Sequence, residues 1–301
     1  MTVLITGAGG FVGRHVARYL AADGVRVVGT CWPEPPDLPE VELLAADVLD
    51  AAAVKAAVRH ARPETVLHLA GLSHVGESWS RPGAYFRVNV AGTENVLRAA
   101  RGARIVVASS AEVYGAVPEA EQPIREDRPP EPGTPYGLTK AAAERLAFAL
   151  AGEAAVVVRS FNLIGPGQAR RFALPSFAAQ LAAIRRGEAE PVLRVGNLSA
   201  RRDFVHVEAA ARAYALLASG KSPGGTYNLA SGRALSVAEA LDTLVRISGV
   251  EARIEKDRDR FRPVDQPLLV GDPSRLRALG WGPEPGAEAA IEALWREALA
   301  S

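Results

Sequence analysis

The sequence predicts a doubly wound α/β fold: a parallel sheet with helices on both faces, and a smaller C-terminal α/β lobe. Three observations carry this. A short apolar run opens the chain and passes straight into a glycine-rich turn and an amphipathic stretch. Strand-like and helix-like segments then alternate through the first half, the pattern that produces parallel pairing through helical crossovers. After the sixth strand-like run, Gly and Pro punctuation marks an exit to a second lobe.

Thr2-Val3-Leu4-Ile5 is short and apolar, hence a buried strand. Thr6-Gly7-Ala8-Gly9-Gly10-Phe11-Val12-Gly13 follows, then a helix from Arg14 to Ala22. Strand, glycine turn and helix in this order suit the pyrophosphate of a dinucleotide. Gly7 permits the turn, Gly10 lets backbone N–H groups approach a phosphate, and Gly13 lets helix pack close on strand. Phe11 and Val12, between these glycines, are also expected to contact the cofactor, beside a helix N-terminus that carries partial positive charge. The second strand is Val25 to Thr30. Beyond it, where a carboxylate would accept bonds from an NAD ribose, stand Cys31 and Trp32. Arg14 either faces a 2′-phosphate or is solvated. The missing acid together with Arg14 favours NADP, with NAD as the other choice.

Leu43 to Val48 reads as the third strand, with Asp47 and Val48 at its end positioned for an adenine. Val66 to Gly71 is the fourth, where Ala70 and Gly71 let a cofactor ribose pass closely. A long helix is expected from Ala84 to Ala100, containing Asn89, and a fifth strand from Arg104 to Ala108. That strand ends in Ser109-Ser110-Ala111-Glu112-Val113-Tyr114-Gly115. Ligands of open parallel sheets sit beyond the carboxyl ends of the strands, so a Ser here either donates to a substrate carbonyl or caps the strand.

Pro135-Tyr136-Gly137-Leu138-Thr139-Lys140 opens the next helix. The four-residue spacing brings Tyr136 and Lys140 to one face. A Tyr hydroxyl titrates near ~10. An ammonium beside it is expected to pull that value down, as acid–base work at a carbonyl requires. Lys occurs only at 55, 140, 221 and 256 in a chain whose basic residues are otherwise Arg, so Lys140 stands out.

Composition narrows the function. The 301 residues are 48% hydrophobic and 23% charged, with a net charge of +1, values of a globular protein with no long-range field for nucleic acid or membrane. The single Cys31 cannot form an intrachain disulfide, the five histidines lack ligand spacing, and no metal site is expected. No signal peptide or membrane helix is read at the N-terminus, which makes the cytoplasm the expected location.

TGAGGFVG, HLAG, SSAEVYG and PYGLTK occur in the order found in the extended short-chain dehydrogenase/reductases, and the chain resembles that family over its whole length. The resemblance implies that Ser110 polarises a carbonyl, Tyr136 exchanges a proton, and Lys140 binds the nicotinamide ribose and lowers the Tyr136 pKa. It implies a homodimer through helices around 84–100 and 137–151. A dinucleotide-binding (Rossmann) domain is expected over 1–161, with 203–228 returning to it. The sugar-nucleotide-binding lobe is expected over 162–202 and 229–301.

Val156 to Arg159 is the sixth strand, followed by Ser160-Phe161-Asn162-Leu163-Ile164-Gly165-Pro166-Gly167-Gln168. Arg202 and Arg262 either clamp a diphosphate or pair with Asp203 and Asp265. GPGQ, FALPSF, GNLSARRDF, YNLASGRALS and RPVDQPLLVGDPSRLRALGW resemble segments of GDP-4-keto-6-deoxy-D-mannose reductases, and several recur in GDP-mannose 4,6-dehydratases and epimerases. This narrower resemblance implies that Asn162, Arg202 and Arg262 contact the diphosphate and that Leu174, Pro175 and Ser176 begin a helix near the base. His206 departs from the reductase pattern, which carries an acid there, and brings its segment closer to the epimerase style. Glu112, two residues after Ser110, is a catalytic carboxylate in the dehydratases and is shared by the reductases. The expected activity is NAD(P)H-dependent reduction of a nucleotide-linked 4-keto-6-deoxyhexose. A 4,6-dehydratase or 4-epimerase with bound NAD(P) is the alternative, and a non-catalytic nucleotide-binding protein a distant one. The Pro-rich stretch 118–135 beside Tyr136 is either a lid or a stiff static loop.

Overall fold

The computed structural model describes residues 1–260 and 266–301. β1 (Thr2–Thr6) is almost wholly buried and leads through the glycine turn into α1 (Phe11–Ala22). A Cβ on Gly13 would lie 2.1 Å from the Gly7 carbonyl oxygen, and one on Gly7, at φ 72°, would lie 2.7 Å from the Ala70 nitrogen. Only glycine allows the helix to start this close to the strand. β2 (Arg26–Cys31), β3 (Glu42–Ala45), α2 (Ala51–Ala61) and β4 (Thr65–His68) follow. The third strand stops short of Asp47, which lies in the turn beyond it and accepts the Leu49 N–H at 2.9 Å.

The long helix expected over 84–100 is present, continuous from Pro82 to Ala99, with one π-helical turn inside it. α3 (Val75–Ser80) and α4 (Pro82–Phe86) lead into one π-helical turn, Arg87–Ala91, before α5 (Gly92–Ala99). The cause is Asn89. Its Oδ1 accepts the Leu72 N–H at 2.8 Å, and its Nδ2 donates to Leu72 O and Thr139 Oγ1, both at 3.0 Å. An inward-pulled, fully satisfied amide widens the helix locally, as π turns do at functional sites.

β5 (Arg104–Ser110), α6 (Pro135–Ala151) and β6 (Ala155–Ser160) complete this half. Thr134 caps α6 by accepting the Gly137 N–H at 3.0 Å, with Pro135 as its first residue. The remaining elements are β7 (Asn162–Ile164), α7 (Ala173–Arg185), β8 (Val192–Val195), β9 (Arg201–His206), α8 (Val207–Ala218), β10 (Gly225–Leu229), β11 (Ala234–Ser236), α9 (Val237–Ser248), β12 (Arg253–Lys256), β13 (Leu268–Leu269), α10 (Ser274–Arg277) and α11 (Ala287–Ala300).

The central sheet is parallel throughout, in the order β10-β6-β5-β4-β1-β2-β3. The order reverses between β1 and β4, which opens a crevice at their carboxyl ends. Apolar side chains fill both faces, against α1 and α8 on one side and against α2, α5 and α6 on the other. A second sheet, β11-β9-β13 with β7 on β9, and the β8–β12 pair surround a separate core shared with α7, α9 and α11. No helix among the described residues is long and apolar enough to cross a membrane.

The stretch 118–135 is fastened rather than loose. Ile124 is buried, takes the Val270 carbonyl at 2.9 Å and gives its own carbonyl to the Asp272 N–H at 2.8 Å. The Gln122 amide holds the Leu268 carbonyl and the Val270 N–H.

Inside the sheet, His68 lies between Thr6 Oγ1 (2.7 Å) and Thr93 Oγ1 (2.9 Å), fully buried. Burial first, and the nearby Lys140 charge second, push its pKa from 6.5 to about 3. The folded state therefore binds this proton less readily than the unfolded state. Its stabilising share is complete above pH 6.5 and is lost as pH falls towards 3. Urea unfolding between these limits should show wild-type stability falling with pH, with a flatter profile in His68→Gln.

Candidate active site

The carboxyl ends of β1, β4 and β5 and the first turns of α1 and α6 enclose a cavity of about 420 Å³. Gly7, Gly10, Phe11, Val12, Gly13, Gly71, Ser110, Glu112, Tyr136 and Lys140 all line it. α1 has no side-chain cap and no acid in its first turn, so its amino end faces the glycine turn as a positive pole. Four other residues expected at this site lie outside the cavity wall. Arg14 donates to the Gly9 carbonyl at 2.9 Å, Asp47 and Val48 sit beyond β3 with Val48 packed on Gly92, and Ala70 backs Gly7.

The pleat of β5 separates its two serines. Ser109 Oγ donates to Glu144 Oε1 at 2.5 Å on the α6 side. Ser110 lies beside Tyr136, close enough to lower its pKa, and accepts the Glu112 N–H at 3.2 Å. Glu144 also receives Arg159 through Nε (3.0 Å) and Nη2 (2.8 Å), a two-pronged pair whose side chains are 4% and 5% exposed. Arg159 stacks over the Tyr114 ring at 4.7 Å and reaches the Glu126 carbonyl at 3.3 Å.

Tyr136 packs edge-on against Tyr85, with ring centroids 6.2 Å apart. Its pKa runs opposite to the expectation. Burial raises it strongly, the Glu112 charge adds to the rise, and only Ser110 beside it opposes. Lys140 Nζ lies 6.0 Å from the Tyr136 ring centroid and donates to the Ala108 carbonyl at 2.8 Å. Burial brings Lys140 down to about 8, with Glu144 opposing. A Cβ on Gly71 would sit 3.4 Å from Lys140 Nζ and 2.9 Å from Asn89 Oδ1. Asn89, placed in the expected helix without a role, thus stands beside Lys140.

A second cavity of about 500 Å³ adjoins the first and lies between β7, β9 and α7. Leu174, Ser176 and Arg202 line it, and Asn162 lines both cavities. Ser176 accepts from Arg260 Nη1 at 3.0 Å. Arg202 Nη1 donates to the Arg201 and Gln266 carbonyls at 2.9 and 2.7 Å. Asp203 points elsewhere, accepting the Ser231, Gly232 and Gly271 N–H groups. His206 caps α8 by accepting the Glu208 N–H at 3.0 Å. Arg262 and Asp265 lie outside the described residues. Arg171, Arg260 and Glu144 were not singled out in the sequence. Glu144 carried a signal, one helical turn beyond Lys140, but Arg171 had none beyond its place after GPGQ.

The GDP-mannose 4,6-dehydratase family model matches residues 4–294. The chain is 36% identical over 290 residues to the GDP-6-deoxy-D-mannose reductase of Pseudomonas aeruginosa, covering 94% of this chain and 92% of that protein. It is 34% identical to the UDP-glucose 4-epimerase of Azospirillum brasilense, covering 94% and 87%. Among solved structures it is similar to RMD from Pseudomonas aeruginosa complexed with NADPH, with a TM-score of 0.87 and 32% identity over 100% of this chain and 99% of that one. It is also similar to the Thermus thermophilus UDP-glucose 4-epimerase complexed with NAD, with a TM-score of 0.88 and 30% identity over 99% of each.

Glu144→Gln leaves Arg159 buried without its counter-charge, which is expected to cost about 3–5 kcal/mol of folding stability. Chemical denaturation of the two proteins measures it. A loss below about 1 kcal/mol, the range of an exposed pair, would contradict the arrangement.

Proposed function

The chain belongs to the GDP-mannose 4,6-dehydratase family of extended short-chain dehydrogenase/reductases, and we propose that it reduces a nucleotide-linked 4-keto-6-deoxyhexose, GDP-4-keto-6-deoxy-D-mannose in the first instance, with NADPH. The observation that carries this reading is that Ser110, a buried Tyr136 and Lys140 share the wall of one cavity, next to a second cavity lined by arginines.

The cradle fits a dinucleotide. Side chains at Gly7 and Gly13 would collide with the backbone at Ala70 and at Gly7–Ala8, so glycine there keeps the turn tight at the uncapped amino end of α1, where a pyrophosphate would sit. Gly10, Phe11, Val12 and Gly13 hold that pyrophosphate, and Asp47 and Val48 take the adenine. Ala70 and Gly71 flank a ribose, and Lys140 bonds the nicotinamide ribose. Arg14, fixed on the glycine turn, with Cys31 and Trp32 where an acid would face the ribose, takes the 2′-phosphate that distinguishes NADP from NAD. When bound, the cofactor supplies the hydride for carbon 4. Ser110 donates a hydrogen bond to the ketone oxygen. Tyr136 gives its proton to that oxygen as the alkoxide forms, and the Lys140 ammonium stabilises the tyrosinate left behind.

In the second lobe, Asn162, Arg202 and Arg262 bind the diphosphate, and Leu174 and Ser176, at the start of α7, lie near the base. Residues 1–161 with 203–228 make the cofactor domain, and 162–202 with 229–301 the substrate lobe. A second copy of the chain docks on α4 and α6, where Phe86, Leu138 and Phe148 are exposed. The enzyme works in the cytoplasm, with Cys31 as a free thiol. Glu112 supports a second reading, a 4,6-dehydratase with retained NAD(P), because it places a carboxylate beside Tyr136.

Purified enzyme with GDP-4-keto-6-deoxymannose should consume NADPH stoichiometrically, and faster than NADH. Tyr136→Phe should lower turnover by roughly 10²–10⁴-fold. Turnover near wild type in that variant would overturn the assignment. No NADPH loss, with NAD(P) released on denaturing the protein, would favour the dehydratase or epimerase reading.

A further inference from the structure

The two cavities share one wall, made by Asn162, Leu163, Gln168, Arg171 and Phe172. Among the described residues of that wall, Arg171 carries the only charge. Resting on the nucleotide-sugar reading, we infer that Arg171 binds the sugar-linked (β) phosphate of the substrate and so fixes how deeply the hexose enters the reaction cavity.

A substrate with its ketone at Tyr136 and its nucleotide in the second cavity must carry the phosphate–sugar linkage across this seam. The segment that presents Arg171 is fastened from several sides. His15 Nε2 meets the Pro166 carbonyl at 2.9 Å, and Glu297 accepts the Gly167 N–H at 2.8 Å. Phe172 packs edge-on against His74, with centroids 5.4 Å apart. Arg171 itself is half exposed, and its Nη1 lies 4.0 Å from Glu77 Oε2, a loose approach. Glu77 has a tighter partner in Arg81, at 2.6 Å. A phosphate offers the guanidinium shorter, two-pronged bonds than this carboxylate does. Gln168 Oε1, buried at the same seam without a hydrogen-bond partner, is an acceptor suited to a hydroxyl of the hexose.

Calorimetric titration of the intact protein with GDP, GMP and NADPH tests this. Arg171→Ala should weaken GDP by roughly 10- to 100-fold, GMP and NADPH by less than about twofold, and Arg171→Lys should recover part of the loss. Equal losses for GDP and GMP, or none, would overturn it. So would a GDP loss of the same size in Glu77→Gln, because Arg171 would then act by tying its segment to α3. Titrating UDP and UMP in parallel separates the two readings. Wild-type preference for UDP would correct the base in the proposed function, while the diphosphate-specific loss in Arg171→Ala would still support the role of Arg171.

Discussion

One buried carboxylate holds the reaction centre in shape. Glu144 joins β5 through Ser109, β6 through Arg159 and α6 through its own backbone, one turn beyond Lys140. A charge so far from water is tolerated because two guanidinium nitrogens and a hydroxyl meet it with good geometry. The consequence is geometric. With α6 locked against the end of β5, Tyr136 stays in reach of Ser110, and Lys140 stays bonded to Ala108. The negative charge also opposes the effect of burial on Lys140 and so favours its ammonium form. Arg159 carries the lock outward to the carbonyls of Glu126 and Arg128, which helps explain why the Pro-rich stretch is fastened.

Burial acts on the two catalytic candidates in opposite senses. It favours the neutral phenol of Tyr136 and the neutral amine of Lys140, because the charged form of each loses its hydration. Burial thus works against loss of the proton from Tyr136 and against retention of the proton on Lys140, and Glu144 counters it at the lysine.

Much of this was legible in the sequence where the chemistry is local. The glycine turn, Ser110, and Tyr136 with Lys140 are each written within a few residues, and the cavity collects them together. Asp47 was legible by position, but its strand ends earlier because the turn at Asp47–Leu49 takes over. The helix over 84–100 was legible, but its π turn at Asn89 was not, since the groups that pull it, Leu72 and Thr139, lie 17 and 50 residues away. The sense of the Tyr136 shift was missed for a related reason. Helical spacing places the ammonium on the same face, but only the tertiary structure aims it at Ala108. Arg171 gains meaning only where two cavities meet, and no motif encodes that meeting.

Net hydride delivery to carbon 4 of the sugar, with Tyr136 as the proton donor, is tested with NADPH carrying deuterium at the transferable position and NMR of the product sugar. One deuterium is expected at carbon 4 for each NADPH oxidised. Product formed without deuterium, and without net oxidation of the added NADPH, would contradict it and indicate a cofactor that cycles in place.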